Sequence, residues 1–267
     1  VDRMSIKKRD QCLSAAPISV NSPPESTVVL GQPMVINANA NKGDKVHVLC
    51  YIPTGRYLKN NAQAYMASRT STTPFLKGLS ETWDIIPNNA SLWRWRRIVV
   101  SSKQYLGLPG QFGTMSAEST QTSSSSRPMV DLSQGTSTGN WVAVYDVVQD
   151  FLFLGVKTTD WIDQMVAPVD KNRFTVHSDS LRTIGSGNDF ARPKICKTWT
   201  PFNKTLRYDD EENGNSITTV SNSVQDKRGM GNVYVFDLFS CPTPVTASPN
   251  DSTLSLNVNS TLYWHEK

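Results

Sequence analysis

Two segments gather the side chains whose types and spacing could do chemistry. Ser5-Ile6-Lys7-Lys8-Arg9-Asp10 places three cations in a row, and Trp93-Arg94-Trp95-Arg96-Arg97 interleaves arginine with indole. Lysine and arginine neutralise phosphates without reading base sequence. Arginine beside an aromatic ring can hold a single strand, guanidinium to phosphate and ring to base. The expected nucleic-acid contacts are therefore Arg3, Lys7, Lys8 and Arg9 from the first segment, and Arg94, Arg96 and Arg97 from the second. Trp93 and Trp95 fit a packed core as well as they fit a base platform, and the three arginines fit a subunit interface, where arginine is enriched.

The remaining reactive residue types form no constellation. There is no G-x-S-x-G elbow, Walker loop, H-E-x-x-H or dinucleotide fingerprint. His47, His177 and His265 are far apart in sequence and read as packed or exposed histidines. Gly185-Ser186-Gly187 reads as a flexible turn. The run Asp209-Asp210-Glu211-Glu212 offers oxygen ligands, but its spacing matches no EF-hand loop, so it reads as a solvated turn or a contact with a basic patch on a neighbouring subunit. Cys12, Cys50, Cys196 and Cys241 contain no C-x-x-C pair and read as free thiols of a reducing compartment. The sequons at Asn89, Asn203, Asn250 and Asn259 are what a Ser/Thr/Asn-rich chain produces by chance. No catalytic residue, metal site or cofactor is expected, and the chain reads as a protein that binds and assembles, not as an enzyme. A formal net charge of +4 is only mildly basic. No apolar run approaches the ~20 residues of a membrane helix.

The elements that must position these residues are mostly strands. Ser, Thr and Asn exceed a quarter of the 267 residues, and they favour turns and strand edges over helix interiors. A chain of this length buries about three quarters of its unfolded surface without a disulfide. Residues 1–26, charged first and then carrying Pro17, Pro23 and Pro24, read as an extended arm, with a folded domain over 27–267. Strand patterns occupy 33–39, 45–52, 91–101, 127–132, 140–148, 151–157, 173–184, 193–208, 233–239 and 254–264. On the strand around Trp93, the residues Trp93, Trp95 and Arg97 face one side and Arg94, Arg96 and Ile98 the other. Residues 58–68 suggest a short helix, and 160–166 one or two helical turns. Loops are expected at 53–90, 102–126 and 209–232. Eight to ten strands without βαβ alternation give a two-sheet sandwich or barrel, and the long connections favour a jelly roll.

Specific residues then match a family. The chain resembles the capsid proteins of genomoviruses and, more distantly, geminivirus coat proteins. The match is carried by Ser5–Asp10, by Trp93-Arg94-Trp95-Arg96-Arg97-Ile98, by Pro168-Val169-Asp170-Lys171-Asn172-Arg173-Phe174, and by Trp199-Thr200-Pro201-Phe202-Asn203-Lys204-Thr205-Leu206-Arg207-Tyr208, with a last strand finishing in Tyr263 and Trp264. Order and spacing persuade more than any one motif. The resemblance implies an all-β, eight-stranded viral jelly-roll sandwich with long loops and an extended N-terminal arm. It implies a T=1 icosahedral virion shell of about sixty copies, closed by heterologous and isologous contacts, around circular single-stranded DNA. It also implies assembly in the host cell nucleus and a basic arm read by host nuclear import machinery. Relatives carry a longer Arg/Lys-rich arm before the Lys-Lys-Arg segment, so more basic chain is expected upstream of Val1. No membrane insertion is implied.

A different class competes: a jelly-roll carbohydrate-binding module using Trp83, Trp141 and Trp161 as sugar platforms, which leaves the basic arm unexplained. A capsid protein of another small single-stranded DNA virus is the nearest rival within the viral reading. A hydrolase with an unrecognised site is the third.

Overall fold

A computed structural model describes residues 5–18, 33–38, 46–59, 66–104, 126–131, 148–185, 192–244 and 252–267, with backbone alone for 12–18 and 126–131. Twelve strands lie among the described residues: β1 (Ile6–Ile18), β2 (Met34–Asn37), β3 (Val46–Tyr51), β4 (Phe75–Pro87), β5 (Leu92–Ser102), β6 (Ser126–Asp131), β7 (Thr175–Ile184), β8 (Lys194–Thr205), β9 (Glu211–Asn213), β10 (Ser216–Thr218), β11 (Asn232–Thr243) and β12 (Thr253–Glu266). They build two antiparallel sheets, β7-β5-β11-β3 and β8-β4-β12 with β2 on the β12 edge. In chain order β2 lies in the second sheet, β3 in the first, β4 in the second, β5 and β7 in the first, β8 in the second, β11 in the first and β12 in the second. That order is an eight-stranded jelly roll.

Alternation builds the space between the sheets. In β4 the residues Leu79, Glu81, Trp83 and Ile85 point inward, and in β5 Trp93, Trp95, Arg97 and Val99 meet them. Trp83, Trp95 and Phe239 form its aromatic centre, with Trp83 5.1 Å from Trp95 and Trp95 stacked 5.8 Å from Phe239. Each buried ring of this size contributes about 1.5–3 kcal/mol from burial, with a further ~0.5–1.5 kcal/mol for aromatic pairing. The two tryptophans of the arginine-rich segment are thus core.

β3, β5 and β11 are buried on both faces. Their outer side chains, among them Val48, Ile98, Val100, Phe236 and Leu238, pack under residues 148–174, whose Leu152, Phe153, Trp161, Met165 and Phe174 form a second core. Burial on both faces explains why Val233–Phe239 reads as nearly continuous apolar sequence.

Three expectations are corrected. Residues 6–18 are a strand, not an extended arm: β1 pairs antiparallel with β12 from Ile6↔Glu266 to Leu13↔Asn259, then parallel with β6, which joins β3 and so connects the two sheets. The stretch read as a loop at 53–90 contains β4, a central 13-residue strand. Residues 148–152 are helical, and 153–157 make only isolated bridges, so the strand expected over 151–157 is a covering turn. The proposed helix at 58–68 falls largely outside the described residues, and its flank Leu58 bridges Arg69. The strand expected at 140–148 also falls outside them, up to residue 147.

Candidate nucleic-acid interface

Inward-pointing charges account for several of the expected DNA contacts. On β1 the side chains alternate, so Lys8 and Asp10 turn inward while Lys7 and Arg9 stay outside. The Lys8 side chain is fully buried and ion-paired to Glu266 at 2.7 Å. Its ammonium also donates to the Ser68 carbonyl (3.0 Å) and to Thr70 Oγ1 (2.6 Å). Asp10 pairs with Arg56, whose guanidinium lies 5.0 Å above Trp264. Burial pushes the Glu266 carboxyl up, but hydrogen bonds from Lys8, Thr70 and Trp264 outweigh it and hold the group below its ordinary range. Lys8 is therefore a clasp between β1, β12 and the turn at 68–70, with no charge left to offer a phosphate.

Arg97 lies deeper, between the sheets. It donates to both oxygens of Asp237 on β11 (3.1 Å each) and pairs with Glu81 on β4. Trp95 Nε1 donates to Asp237 (2.8 Å), and the Tyr51 hydroxyl donates to Glu81. Burial raises the Asp237 carboxyl despite Arg97 and Trp95, and burial followed by the Asp237 charge pushes the Cys50 thiol well up. Arg96 points the other way, under the 148–174 cover. It forks onto Asp179 (2.9 and 2.7 Å), donates to the Gln164 carbonyl (2.7 Å) and lies over Phe153. Arg94 is half-buried and bonded to Asp163 at 3.0 Å. The inner-wall DNA contact expected of Arg96 and Arg97 is corrected: both are consumed in pinning β5 to its neighbours.

Lys7 and Arg9 remain. Both are exposed on the outer face of the β8-β4-β12-β1 sheet, opposite His265 and Tyr263 in register. Neither is ion-paired among the described residues. Arg3 lies outside the described residues. The same face carries cations that sequence reading missed. A bulge in β4 against β12, where Leu76 and Gly78 pair with the adjacent Trp264 and Tyr263, inserts Lys77 as an extra residue. Lys77 sits 5.7 Å over the Phe75 ring, and Phe75 in turn faces His265 on β12. On β8 the outward residues include Ile195, Lys197 and Trp199. The signal for Lys197 and Trp199 lies in their alternation with Cys196, Thr198 and Thr200.

Other expectations find their places here. Asp210 is bonded bidentately by Arg69 (2.5 and 3.0 Å), while Glu211 and Glu212 open the small β9-β10 hairpin. No group of three or more metal-ligating side chains occurs among the described residues. Cys50, Cys196 and Cys241 are buried free thiols. His177 contacts Ser101 Oγ at 2.9 Å and packs edge-on to Phe202. Trp83 and Trp161, offered as sugar platforms, are buried, and Trp141 lies outside the described residues.

No protein-family model matches the chain, and no curated protein does. Among solved structures, the chain aligns with VP1 of Trichodysplasia spinulosa-associated polyomavirus in complex with 3'-sialyllactose at 7% identity, covering 97% of this chain and 92% of that one, with a TM-score of 0.15. Merkel cell polyomavirus VP1 in complex with GD1a oligosaccharide aligns at 8% identity, covering 98% and 96%, with a TM-score of 0.14. New Jersey polyomavirus VP1 aligns at 9% identity, covering 97% and 80%, with a TM-score of 0.10. Likeness at this level carries no weight for function, and the jelly-roll assignment stands on strand order alone.

Proposed function

We propose that this chain is the structural subunit of a small viral capsid that packages single-stranded DNA through sequence-independent electrostatic contacts. The observation that carries the reading is the outer face of the β8-β4-β12-β1 sheet, where Lys7, Arg9, Lys77 and Lys197 stand free of ion pairs among the described residues. Unpaired cations on a rigid sheet cost no internal bond when they meet phosphates. The genomovirus resemblance of the sequence supplies the finer terms: a T=1 shell of about sixty copies, a circular genome, and a basic arm, including Arg3, addressed to host nuclear import.

A shell subunit also needs apolar ground on which copies meet. The cover over 148–174 presents Leu154, Val156, Ile162 and Val166 to solvent at 48%, 61%, 82% and 68% exposure. That is an unusual density for a surface turn and suits a subunit contact. Light scattering on the purified chain, with its absorbance ratio at 260 and 280 nm, tests the proposal. Megadalton particles with a nucleic-acid-like ratio are expected. A ~30 kDa monomer under all conditions, the mass of one chain, would overturn it. A carbohydrate-binding module is the second reading, favoured by the exposed indole of Trp199, and glycan binding by such a monomer would establish it.

A further inference from the structure

Trp199 has an orientation that electrostatics alone does not use. Among the described tryptophans, Trp83, Trp93, Trp95, Trp161 and Trp264 are buried, whereas Trp199 is 54% exposed. Its six-membered ring lies over the backbone of Gly78 on the adjacent strand: a Cβ at Gly78 would come within 2.5 Å of Trp199 Cζ2 and 2.7 Å of Cη2. Tyr263, the β12 partner of Gly78, stands edge-on to the indole at 5.7 Å and 61°. The six-membered ring of the indole thus sits against bare backbone beside a tyrosine, and more than half of the side chain is open to solvent. Only glycine at position 78 permits this seat.

The surrounding charges are placed around that open ring. Lys197 is two residues back on the same strand and face. Lys77 is the neighbour of Gly78, bulged against β12. Arg9 pairs with Tyr263, so it stands two strands from Gly78, about 10 Å away. None of the three is ion-paired among the described residues. The neighbouring outward positions on β12, Asn257, Asn259 and Thr261, are uncharged. A seated aromatic plane ringed by unpaired cations matches the chemistry of a single strand, whose bases are free to stack while its phosphates run alongside. A duplex, its bases already stacked, could use only the cations.

We infer that Trp199, seated on Gly78 and braced by Tyr263, is a base-stacking platform for single-stranded nucleic acid, with Arg9, Lys77 and Lys197 as its phosphate contacts. The inference rests on the nucleic-acid reading of this face but adds a contact to the base, which that reading does not require.

The test compares binding of three fluorescent probes by the full chain: oligo(dT), an abasic strand of equal length and charge, and a blunt duplex. Base–aromatic stacking makes oligo(dT) bind at least about five-fold tighter than the abasic strand. Trp199→Leu is expected to erase that preference and leave abasic binding unchanged, while Trp199→Phe keeps most of it. Lys197→Ala should weaken both strands equally. If Trp199→Leu fails to fold, the wild-type chain answers instead: oligo(dT), but not the abasic strand, should protect Trp199 from oxidation by N-bromosuccinimide. Retained preference in Trp199→Leu overturns the inference. So does loss of shells in that variant with the preference intact, which would make Trp199 a subunit contact, and so does protection of Trp199 by a neutral oligosaccharide only. A wild-type chain that never assembles yet prefers oligo(dT) would defeat the capsid proposal and leave the platform standing.

Discussion

Arg97→Ala separates a structural from a DNA-binding role for the arginine-rich strand. The substitution removes the one cation shared by Asp237 and Glu81, whose side chains are wholly buried. Among the described residues, Asp237 then keeps only the Trp95 donor and Glu81 only the Tyr51 hydroxyl. Removing one partner of a buried ion pair costs about 3–5 kcal/mol, against a total stability of about 5–15 kcal/mol for a folded domain. The loss should appear as a lower urea midpoint at unchanged slope in equilibrium unfolding of the dissociated subunit. Its pH dependence has a definite sign. Burial already raises the Asp237 carboxyl in the folded state, and Arg97 opposes that rise. Without Arg97 the folded state holds its proton more tightly than the unfolded state does. Stability of the variant is therefore best below the ordinary carboxylate range and is lost as pH rises through the raised value. A triple variant, Arg97→Met with Glu81→Gln and Asp237→Asn, removes all three charges together and should recover most of the loss. An Arg97→Ala subunit within about 1 kcal/mol of wild type at neutral pH, but with less packaged DNA, would refute the reasoning.

Further perturbations sort the remaining charges. Lys7→Ala with Arg9→Ala should leave the urea midpoint unchanged and lower the 260/280 nm ratio of shells, whereas Lys8→Ala should destabilise the fold by about 3 kcal/mol or more by stranding buried Glu266; equal stability of the two variants would contradict the burial pattern of β1. Burial, aided by Lys204, lowers the His177 imidazole to about 4 from its ordinary 6.5. The folded state thus refuses a proton that the unfolded chain accepts, so stability falls as pH drops from about 6.5 to about 4, and His177→Gln should flatten that part of the profile in a thermal melt. Ile162→Asp should abolish particles in light scattering while the subunit keeps its wild-type circular dichroism spectrum.

Much of the sandwich was legible because most strands obey period-two burial. The runs around Val46–Tyr51, Leu92–Ser102, Asn232–Thr243 and Thr253–Glu266 announce themselves by apolar alternation or continuity. The misreadings occur where a charge occupies an inward position. Lys8 and Asp10 made β1 look like a solvated arm, because sequence does not show that Glu266 and Arg56 wait opposite them. Glu81 and the bulge at Lys77 hid β4, one by placing a carboxylate in the core and the other by breaking the alternation between Leu76 and Leu79. The same confusion displaced the proposed binding surface. Arg96 and Arg97 drew attention as a cationic cluster, although their partners Asp179, Glu81 and Asp237 are dispersed along the chain. Lys77, Lys197 and Trp199 formed no cluster in sequence and meet only through the pairing of β4 with β8 and β12.

The pairing of β12 has a consequence for biosynthesis. It follows the other eleven strands in chain order, yet it lies between β4 on one side and both β1 and β2 on the other. Its buried Trp264 and Glu266 complete the clasp around Lys8. During translation the second sheet stays split, with β4 and β8 able to pair while β1 and β2 have no neighbour along that edge. Closure waits for residues beyond 253, a long-range step that loop-closure entropy makes slow. A ribosome-bound chain lacking β12 would expose two open strand edges and half of an apolar interior. On crowded polysomes such an intermediate is prone to aggregation and a client for chaperones. In the proposed shell, the same geometry would keep the nascent subunit from presenting a finished surface to other copies before the whole sheet exists.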